Sequence, residues 1–340
     1  MTNKSAKPKE VRVGLDIGTK LIKALEVSHL GDTIKLNKSH FVEVSEPTSV
    51  ESLTKDVKKL LEEFHPDATS VNISLSAPQA LVRFITISKM KEEDLRNSLR
   101  FEAEKYIPFN INEVIIDAVI LSDKGDTGKD MRVLLAAGKK NAVDTRLKLL
   151  KDSGLTAAVI DIDSFACFNA FCNSFKELDA AKSIALLNIG YSQTSVVILQ
   201  GSVPFFTRDI QIGGKNIAEA ISKTMGVKAI DAEKMIYEPG EKKAEIFEAA
   251  KPALASLVEE LRLSVGYYEN QFGKSINEIY LSGGIARMGG ISGYLEENFG
   301  IKPSTWNPFL GFEIDAGLDK ALLEKIAPQF VVCAGLALRK

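Results

Sequence analysis

Cysteine and histidine are scarce in this chain of 340 residues, which contains only three of each. Cys167, Cys172 and Cys333 are too few, and lie in surroundings too apolar, for a disulfide framework, so they indicate a reducing compartment. The histidines are scattered and lack the close spacing of zinc ligands. We therefore expect no disulfides, no zinc site and no Ser-His-Asp or Cys-His catalytic set.

An excess of charge of one sign is also missing. The chain has 43 Lys and Arg against 45 Asp and Glu, a net charge of −2, whereas dedicated nucleic-acid-binding domains are strongly basic. Residues 1–10 are polar and are not followed by an apolar core, so we expect a disordered N-terminus rather than a signal peptide or an anchor. The uncharged stretch 183–207 divides into two strand-like runs around a turn, which argues against a membrane span.

A short motif occurs twice, about half the chain apart. Asp16-Ile17-Gly18-Thr19 is echoed by Asn188-Ile189-Gly190-Tyr191, and each copy is followed by a strand-like run, a turn and another strand-like run. A helical pattern comes later in each half. The duplication predicts two similar α/β domains that face each other across a cleft.

Two segments interrupt this duplicated plan. Residues 83–154 have the pattern strand, helix, strand, strand, helix, which predicts a small inserted subdomain in the first half. Residues 231–272 are helical by pattern, and Pro252 either kinks a helix or starts a new one.

The repeated motif has the chemistry of a phosphate-binding loop. A strand that ends in Asp16 and turns through Gly18 presents backbone N–H groups and the Thr19 hydroxyl to a phosphate, with Asp16 placed to hold hydrated Mg²⁺. An ordinary β-hairpin is the alternative for one copy alone. The glycine pair 213–214 either approaches a ligand or marks a strand-to-helix turn. The four glycines between 283 and 290 favour a flat ligand that lies on the backbone.

Other nucleotide motifs are absent from the sequence. A P-loop that used Lys215 would need glycine at position 209 and a hydroxyl at position 216, where the chain has Asp209 and Asn216. No Gly-x-Gly-x-x-Gly pattern follows a strand, so the sequence does not support a Rossmann dinucleotide site.

Taken in order, the two hairpins, the glycine pairs and two helices rich in small residues, at 163–171 and 333–338, resemble the actin-like ATPase superfamily. The resemblance covers most of the chain. It implies an actin-like ATPase fold, an α/β architecture of two duplicated RNase H-like domains around a nucleotide cleft. Crossing helices join the two domains, a small α/β subdomain is inserted in the first half, and a helical insertion lies in the second.

The pattern and the resemblance together divide the chain into five parts. These are the disordered N-terminus, the first actin-like domain, the inserted partner-binding subdomain, the second actin-like domain and the helical subdomain. Their segments, in that order, are 1–10; 11–82 with 155–182 and 331–340; 83–154; 183–230 with 276–330; and 231–275.

Three longer stretches, at 102–109, 159–166 and 205–210, are similar to the PilM family, actin-like proteins of the type IV pilus inner-membrane assembly complex that are related to the division protein FtsA. The resemblance implies ATP or ADP with Mg²⁺ in the cleft, and a role in pilus assembly and twitching motility. It implies a cytoplasmic location at the inner face of the inner membrane, through partners and without insertion. The implied partner is a PilN-like bitopic protein, bound through its cytoplasmic N-terminal peptide. Contacts with the pilus assembly ATPases and self-assembly stay open.

The nucleotide-binding residues that the resemblance implies fall on both hairpins, on the glycine pairs and on one helix. They are Asp16, Gly18, Thr19, Lys20, Asn188, Gly190, Gln193, Thr194, Gly213, Gly214, Lys215, Glu233, Gly283, Gly284 and Met288. Asp16 would hold Mg²⁺ through water. Glu233 falls where relatives contact ribose, although a solvated helix carboxylate is the alternative. Gly283, Gly284 and Met288 fall on the adenine side.

Asn188 departs from the superfamily, in which many members have Asp on the second loop. Asparagine adds no negative charge to hold Mg²⁺, and the helix that starts near Asp161 offers no Gln to orient an attacking water. These losses would remove several kcal/mol of transition-state stabilisation. We therefore assign no catalytic residue, although Asp16 and Asn188 lie nearest the phosphates, and expect at most a slow ATPase in which nucleotide is mainly a conformational ligand.

A set of apolar and basic residues in the inserted segment is the predicted partner-binding surface. It consists of Arg83, Phe84, Tyr106, Ile107, Pro108 and Phe109. We expect these residues to line a groove that accepts an extended peptide, by strand addition in one arrangement. The alternative is that they fill the core of the inserted subdomain itself.

Two other functions stay open at this point. A small-molecule kinase on the same fold would need a catalytic base, for which Asp161 and Asp163 are candidates, but the helical insertion typical of sugar kinases is missing from the first half. An FtsA-like division protein would typically end in a linker and an amphipathic membrane helix, whereas this sequence ends within its last predicted core helix.

Overall fold

The computed structural model describes residues 10–31, 33–122 and 129–340. The predicted disordered N-terminus lies outside the described residues, except for Glu10, which is the first residue of a strand. The first half begins with three antiparallel strands, a helix and a fourth strand. They are β1 (Glu10–Ile17), β2 (Leu21–Leu30), β3 (Thr33–Glu43), α1 (Val50–Phe64) and β4 (Ser70–Leu75).

The inserted segment and the return to the first sheet follow. Their elements are β5 (Ala80–Ser88), α2 (Glu92–Glu104), β6 (Val114–Ser122), β7 (Asp130–Lys139), α3 (Lys140–Asp152), β8 (Thr156–Ile162) and α4 (Asp163–Ser174). The second half consists of β9 (Ser183–Ile189), β10 (Thr194–Gln200), β11 (Val203–Ile210), α5 (Gly214–Met225), α6 (Ala229–Tyr237), α7 (Lys243–Phe272), β12 (Glu278–Ser282), α8 (Ile291–Phe299), β13 (Ser304–Thr305), β14 (Phe312–Ile314), α9 (Lys320–Ile326) and α10 (Val331–Leu338). Helix α7 continues through Pro252.

Helix α1 shows how local sequence sets an element's limits. The Ser49 side chain accepts a hydrogen bond from the Ser52 N–H and caps the first turn. Leu53, Val57 and Leu60 are buried on one face, because residues three or four apart share a side of the helix. The helix thus lies against the first sheet, in the same apolar cluster as β1 and β4.

Two sheets of related topology form the two halves. One has the strand order β14-β3-β2-β1-β4-β8, and the other has β11-β10-β9-β12-β13. In each sheet the first three strands along the chain pair antiparallel, and the first of them also pairs in parallel with a later strand. The order β3-β2-β1-β4 therefore corresponds to β11-β10-β9-β12. The predicted duplication of an α/β unit is confirmed.

Two segments belong to a different unit from the one the sequence division predicts. Helix α3, assigned to the inserted subdomain, buries Leu149 and Leu150 in the core of the first domain, with Leu15 and Val57. Strand β14, assigned to the second domain, pairs in parallel with β3 at the edge of the first sheet. Both differences arise from long-range packing that a local pattern does not encode.

Helices α4 and α10 cross between the two sheets. A Cβ atom on Gly335 would lie 1.7 Å from the Ala166 carbonyl oxygen, and one on Gly14 of β1 would lie 2.4 Å from the Cys333 carbonyl oxygen. Real Cβ atoms do not approach backbone so closely, so glycine is required at both positions. The small-residue helices therefore cross in direct backbone contact, as the resemblance implies.

The apolar C-terminal stretch is part of this core. Lys320–Leu338 is long and apolar enough to cross a membrane by length and composition alone, but 67% of its most apolar window is buried inside the fold. A 3₁₀ turn joins α9 to α10 within it. Contacts with α4, β1 and β2 account for its apolar character.

The inserted sheet has three strands in the order β5-β7-β6. Helix α2 covers one face, where Leu95 and Ala103 pack against Val133 and Leu135 of β7. On the other face Leu134 packs with Val143 of α3 and other first-domain residues. Strand β6 is left at the edge of this sheet.

We predict that Gly335→Ala lowers the free energy of unfolding by about 3 kcal/mol or more, because the new methyl group would overlap the Ala166 carbonyl. Chemical denaturation measures this loss. Gly293→Ala in α8 is the matched control, since a Cβ there meets no atom within 4 Å, and alanine should stabilise that helix by up to about 1 kcal/mol. Equal effects of the two substitutions would contradict the close helix crossing.

Candidate functional site

A cavity of about 530 Å³ lies between the two halves. The β1–β2 hairpin forms one wall, the β9–β10 hairpin forms the facing wall, and the turn after β12 closes one side. Cavities of a few hundred Å³ accommodate small-molecule ligands and cofactors.

Nine residues of the predicted nucleotide site line this cavity. They are Asp16, Gly18, Thr19, Lys20, Asn188, Gly190, Gln193, Gly283 and Gly284. The two hairpins have equivalent closing hydrogen bonds, from Gly18 N–H to the Leu21 carbonyl at 3.1 Å and from Gly190 N–H to the Gln193 carbonyl at 2.9 Å. Side chains that are half a chain apart thus face the same space.

Six predicted site residues do not line the cavity. They are Thr194, Gly213, Gly214, Lys215, Glu233 and Met288. Thr194 is fully buried and donates to the Ile212 carbonyl at 2.7 Å. Met288 is buried in the core of the second half. These two side chains have packing roles.

The glycine pair 213–214 packs against the second hairpin. Gly214 N–H donates to the Gly190 carbonyl at 2.9 Å, and a Cβ on Gly213 would lie 2.6 Å from the Tyr191 carbonyl oxygen. The side chain of Lys215 points to solvent, 3.9 Å from Glu219. The two glycines therefore pack against the side of the hairpin that faces away from the cavity. They form a strand-to-helix turn, which was the alternative to a direct ligand contact.

Glu233 reaches across the cleft to the first hairpin. It accepts hydrogen bonds from Lys20 Nζ at 2.7 Å and from the Tyr191 hydroxyl. Thr19 Oγ1 donates to Ser192 Oγ at 3.1 Å, a second contact between the halves. Burial and the Glu233 carboxylate raise the pKa of Tyr191. Glu233 is therefore an ion-pair partner at the mouth of the cavity, not a solvated carboxylate.

No sequence motif marks the polar residues at the base of the cavity. Lys23 Nζ lies 2.5 Å from Asp16 Oδ2 and donates to the Gln329 carbonyl at 2.9 Å. Burial, the largest single effect, would lower the pKa of Lys23, but the charge of Asp16 and its hydrogen bond together outweigh burial, and the pKa is raised. The position of Lys23, a charged residue among the apolar residues at the start of strand β2, was the sequence feature that could have indicated its role in the cavity.

Asp163 and Arg146 also line the cavity. Burial, then the charge of Asp16, raises the pKa of Asp163 to about 7. Arg146, on α3, donates from Nη2 to the Ile17 carbonyl at 3.2 Å, and burial lowers its pKa. An arginine keeps its charge through any such shift. The sequence predicts Asp163 only as the candidate base of a kinase, and no sequence pattern marks Arg146.

This arrangement suits a polyanion with a hydrated divalent cation. Four basic residues line the cavity, namely Lys20, Lys23, Arg146 and Arg287. Within the described ranges no cluster of three or more His, Cys, Asp or Glu side chains could hold a metal by itself. Mg²⁺ usually takes one or two carboxylates and completes its shell with phosphate and water. Asp16 and Asp163 fit that need.

The predicted partner residues do not form one surface. Ile107 is 7% exposed and packs in the core of the inserted sheet. For this residue the alternative, that it fills the core of the subdomain, is correct. Arg83 and Phe84 are successive residues of β5 and point to opposite faces. Tyr106 and Pro108 are exposed, and Phe109 is half-buried beneath Lys139 Nζ, 4.8 Å from its ring centre.

An exposed apolar strip on β6 was missed. Ile115 is 50% exposed and Val119 is 54% exposed, both on the same face of this edge strand. Val119 pairs with Leu134 of β7, which in turn pairs with Phe84 of β5. The apolar face that packs on the first domain thus continues outward to β6.

Comparisons with known proteins give consistent results. A family model described as "Type IV pilus assembly protein PilM" matches residues 14–340. A solved structure described as "PilM-PilN type IV pilus biogenesis complex" is 29% identical, with a TM-score of 0.86, and the match covers 98% of this chain and 99% of that chain.

More distant structures share the fold. The ethanolamine utilization protein EutJ from Carboxydothermus hydrogenoformans is 14% identical with a TM-score of 0.56, over 98% of this chain and 91% of that chain. MreB 5 of Spiroplasma citri bound to AMPPNP is 12% identical with a TM-score of 0.54, over 98% of this chain and 96% of that chain. The expected α/β actin-like ATPase fold is confirmed.

The raised pKa of Asp163 predicts a pH-dependent stability difference. In the unfolded chain the carboxyl group ionises near pH 3.8, but the folded protein keeps the proton up to about pH 7. The group therefore lowers stability as pH rises between these values, and no further above them. Asp163→Asn, which stays neutral, should stabilise the protein more at pH 8 than at pH 5, by roughly 1–3 kcal/mol. Thermal unfolding at the two pH values measures the difference.

The control is Asp144→Asn, which removes an exposed carboxylate from α3. Its effect should be small and equal at both pH values. A gain in Asp163→Asn that does not depend on pH would contradict the raised pKa.

Proposed function

This chain belongs to the family of the type IV pilus assembly protein PilM, and we propose that it is a cytoplasmic ATP-binding scaffold of type IV pilus biogenesis. In this proposal, adenine nucleotide binds between the two halves, and the inserted sheet binds the cytoplasmic N-terminal peptide of a PilN-like inner-membrane protein. The similar solved structure is that of a PilM-PilN type IV pilus biogenesis complex, which supports this partner. Nucleotide acts mainly as a conformational ligand.

The observation that carries the nucleotide proposal is the shared cavity of the two hairpins. Gly18 and Gly190 hold the hairpin backbones close to the cavity from opposite walls, and a Cβ on Gly18 would lie 2.9 Å from the Leu21 carbonyl oxygen. Asp16 is the proposed ligand of Mg²⁺ through water, and the cavity's basic side chains balance phosphate charge. An actin-like relative, MreB 5, was solved with AMPPNP, which supports the proposal.

The adenine side of the proposed site lies at the turn after β12. Gly283 has φ of +85° and Gly284 follows it, so the backbone lies close to the cavity without side chains. Tyr237 and Arg287 line the same region, and the Arg287 guanidinium lies 5.3 Å from the Tyr237 ring centre. A planar base can stack on such groups.

Slow hydrolysis follows from the charges around the phosphate end. Lys23 already neutralises Asp16, and Asn188 on the facing hairpin brings no second negative charge. The pull on Mg²⁺ is therefore weaker than in a site with two free carboxylates. In this proposal, binding energy is used to hold the two halves together rather than to speed chemistry.

We predict that the protein binds ATP with Mg²⁺ and that Asp16→Asn weakens this binding at least tenfold when Mg²⁺ is present. In EDTA the two proteins should differ less, because the lost charge acts mainly through the metal. Isothermal titration calorimetry measures both, and single-turnover hydrolysis should stay well below ~1 per second. Asp94→Asn, at an exposed position on α2, is the control. Absence of binding heat in the unmodified protein would overturn the nucleotide proposal.

Asp163 favours one second candidate, a small-molecule kinase. Its carboxyl group lines the cavity and is poised to accept a proton near neutral pH. ATP consumption that rises severalfold with one member of a panel of sugars would favour this function over the scaffold.

The edge of the inserted sheet is the proposed peptide-binding surface. Strand β6 has no neighbour on its outer side among the described strands, and its exposed face carries Ile115 and Val119. An extended peptide can add to such an edge through main-chain hydrogen bonds while its side chains cover the apolar strip. Ile107, one of the six residues expected to line the groove, is buried, so Ile115 and Val119 are the proposed contacts instead.

We predict that Ile115→Glu combined with Val119→Glu weakens binding of a synthetic peptide, taken from the cytoplasmic N-terminus of the PilN-like partner, at least tenfold. Both side chains are exposed, so the thermal midpoint should change little. Fluorescence anisotropy measures the affinity. The control is Leu263→Glu, which introduces one glutamate charge at an even more exposed apolar position, on α7. Unchanged affinity of the double variant would place the peptide elsewhere.

A further inference from the structure

The wall of the cavity includes both connections of the inserted sheet. The turn between β4 and β5, residues 76–79, contributes all four of its residues to the lining. The other connection runs directly from β7 into α3, which contributes Arg146. Lys139 N–H donates to the Gln79 carbonyl at 2.8 Å, so the two connections are tied to each other. A ligand at this end of the cavity therefore contacts the hinge of the inserted sheet.

Arg146 differs from the other basic residues near the hairpins. Lys20 is paired with Glu233 at 2.7 Å and Lys23 with Asp16 at 2.5 Å. Arg146 donates to the Ile17 carbonyl, and the described residues place no carboxylate oxygen within salt-bridge distance of it. The residue that it contacts lies between Asp16 and Gly18, inside the first hairpin.

Asp163 and Asp16 act on the Arg146 charge only from beyond ion-pair distance, and burial outweighs them, so the pKa of Arg146 is lowered. A largely buried guanidinium without a direct ion pair is costly, because its charge is taken out of water without full compensation. Its planar fork matches the oxygens of a phosphate group, and such charge-assisted pairs are among the stronger hydrogen bonds. The position of Arg146 beside the first hairpin therefore suits an anion held by that hairpin.

Helix α3 connects Arg146 to two other parts of the molecule. Leu149 and Leu150 anchor the helix in the core of the first domain. One turn before Arg146, Val143 packs with Val82 and Leu134 of the inserted sheet. A helix is stiff over two turns, so a force on Arg146 reaches the packing of Val143 directly.

We propose that Arg146 binds the terminal phosphate of a nucleoside triphosphate and thereby transmits the presence of that phosphate to the inserted sheet through α3. This inference rests on the proposed function, since it names a residue that distinguishes triphosphate from diphosphate in the same cavity. A diphosphate leaves Arg146 with its contact to Ile17 alone. The presence or absence of the terminal phosphate then changes the contacts at the hinge of the inserted sheet, which binds the partner.

The test compares ATP and ADP, each with Mg²⁺, in the full chain and in Arg146→Gln by calorimetry. We expect the unmodified protein to bind ATP at least tenfold more tightly than ADP. Arg146→Gln should lose most of this preference through weaker ATP binding, with the ADP affinity changed less than twofold. Arg146→Lys, which keeps the charge but not the fork, should lie between the two.

Lys148→Gln is the matched control, because it removes a positive charge from the same helix at a position that faces solvent. It should keep the preference for ATP. Thermal unfolding of each variant verifies that the fold is intact. A folded Arg146→Gln that keeps the full preference would overturn the inference and leave the proposed function standing, whereas an unmodified protein that binds neither nucleotide would overturn both.

Amide hydrogen exchange tests the second half of the inference. ATP should change the exchange of β5 and β7 at least twofold relative to ADP in the unmodified protein and in Lys148→Gln. In Arg146→Gln at saturating nucleotide, ATP and ADP should give the same exchange in these strands. An ATP-specific change that persists in Arg146→Gln would show that Arg146 does not transmit the signal.

Discussion

Three backbones lie in direct contact where α10 crosses α4 and covers β1, because Gly335 and Gly14 carry no side chains at these points. This contact sets the position of β1, and β1 leads into the hairpin that forms one wall of the cavity. It also sets α4, whose first residue, Asp163, lies at the base of the cavity. The positions of these parts of the site are therefore fixed by the packing of α10 on α4 and β1, a contact that does not itself bind a ligand.

The two halves meet in two different ways. The helix crossing is apolar, buried and without space, so it resists separation. The contacts across the mouth of the cavity are polar and partly exposed: Lys20 with Glu233, and Thr19 with Ser192. Partly exposed pairs of this kind contribute little to stability. The polar contacts across the mouth therefore hold the two halves together less strongly than the helix crossing does.

The cavity is lined by basic groups that can bind an anion, but it has little unpaired negative charge to support catalysis. Asp16 is paired with Lys23, Asp163 is partly protonated near neutral pH because its pKa is raised to about 7, and Asn188 has no charge. These charges suit a bound polyanion, but they would polarise an attacking water only weakly. The two connections of the inserted sheet run along the same cavity. In the proposed function, a nucleotide in this cavity would contact the connections of the sheet that binds the partner.

The sequence by itself determined the features that depend on backbone and local pattern. The repeated Asp-x-Gly and Asn-x-Gly motifs predicted two hairpins on one cleft, and small residues indicated where helices cross. Only the tertiary structure decided where single side chains go. Thr194 and Met288 were expected to bind nucleotide and Ile107 to bind the partner, but all three are buried in the core. Lys23 and Arg146 instead reach the cavity, from elements that show no motif. A turn needs a few adjacent residues, but burial and charge pairing depend on neighbours that are distant in the chain.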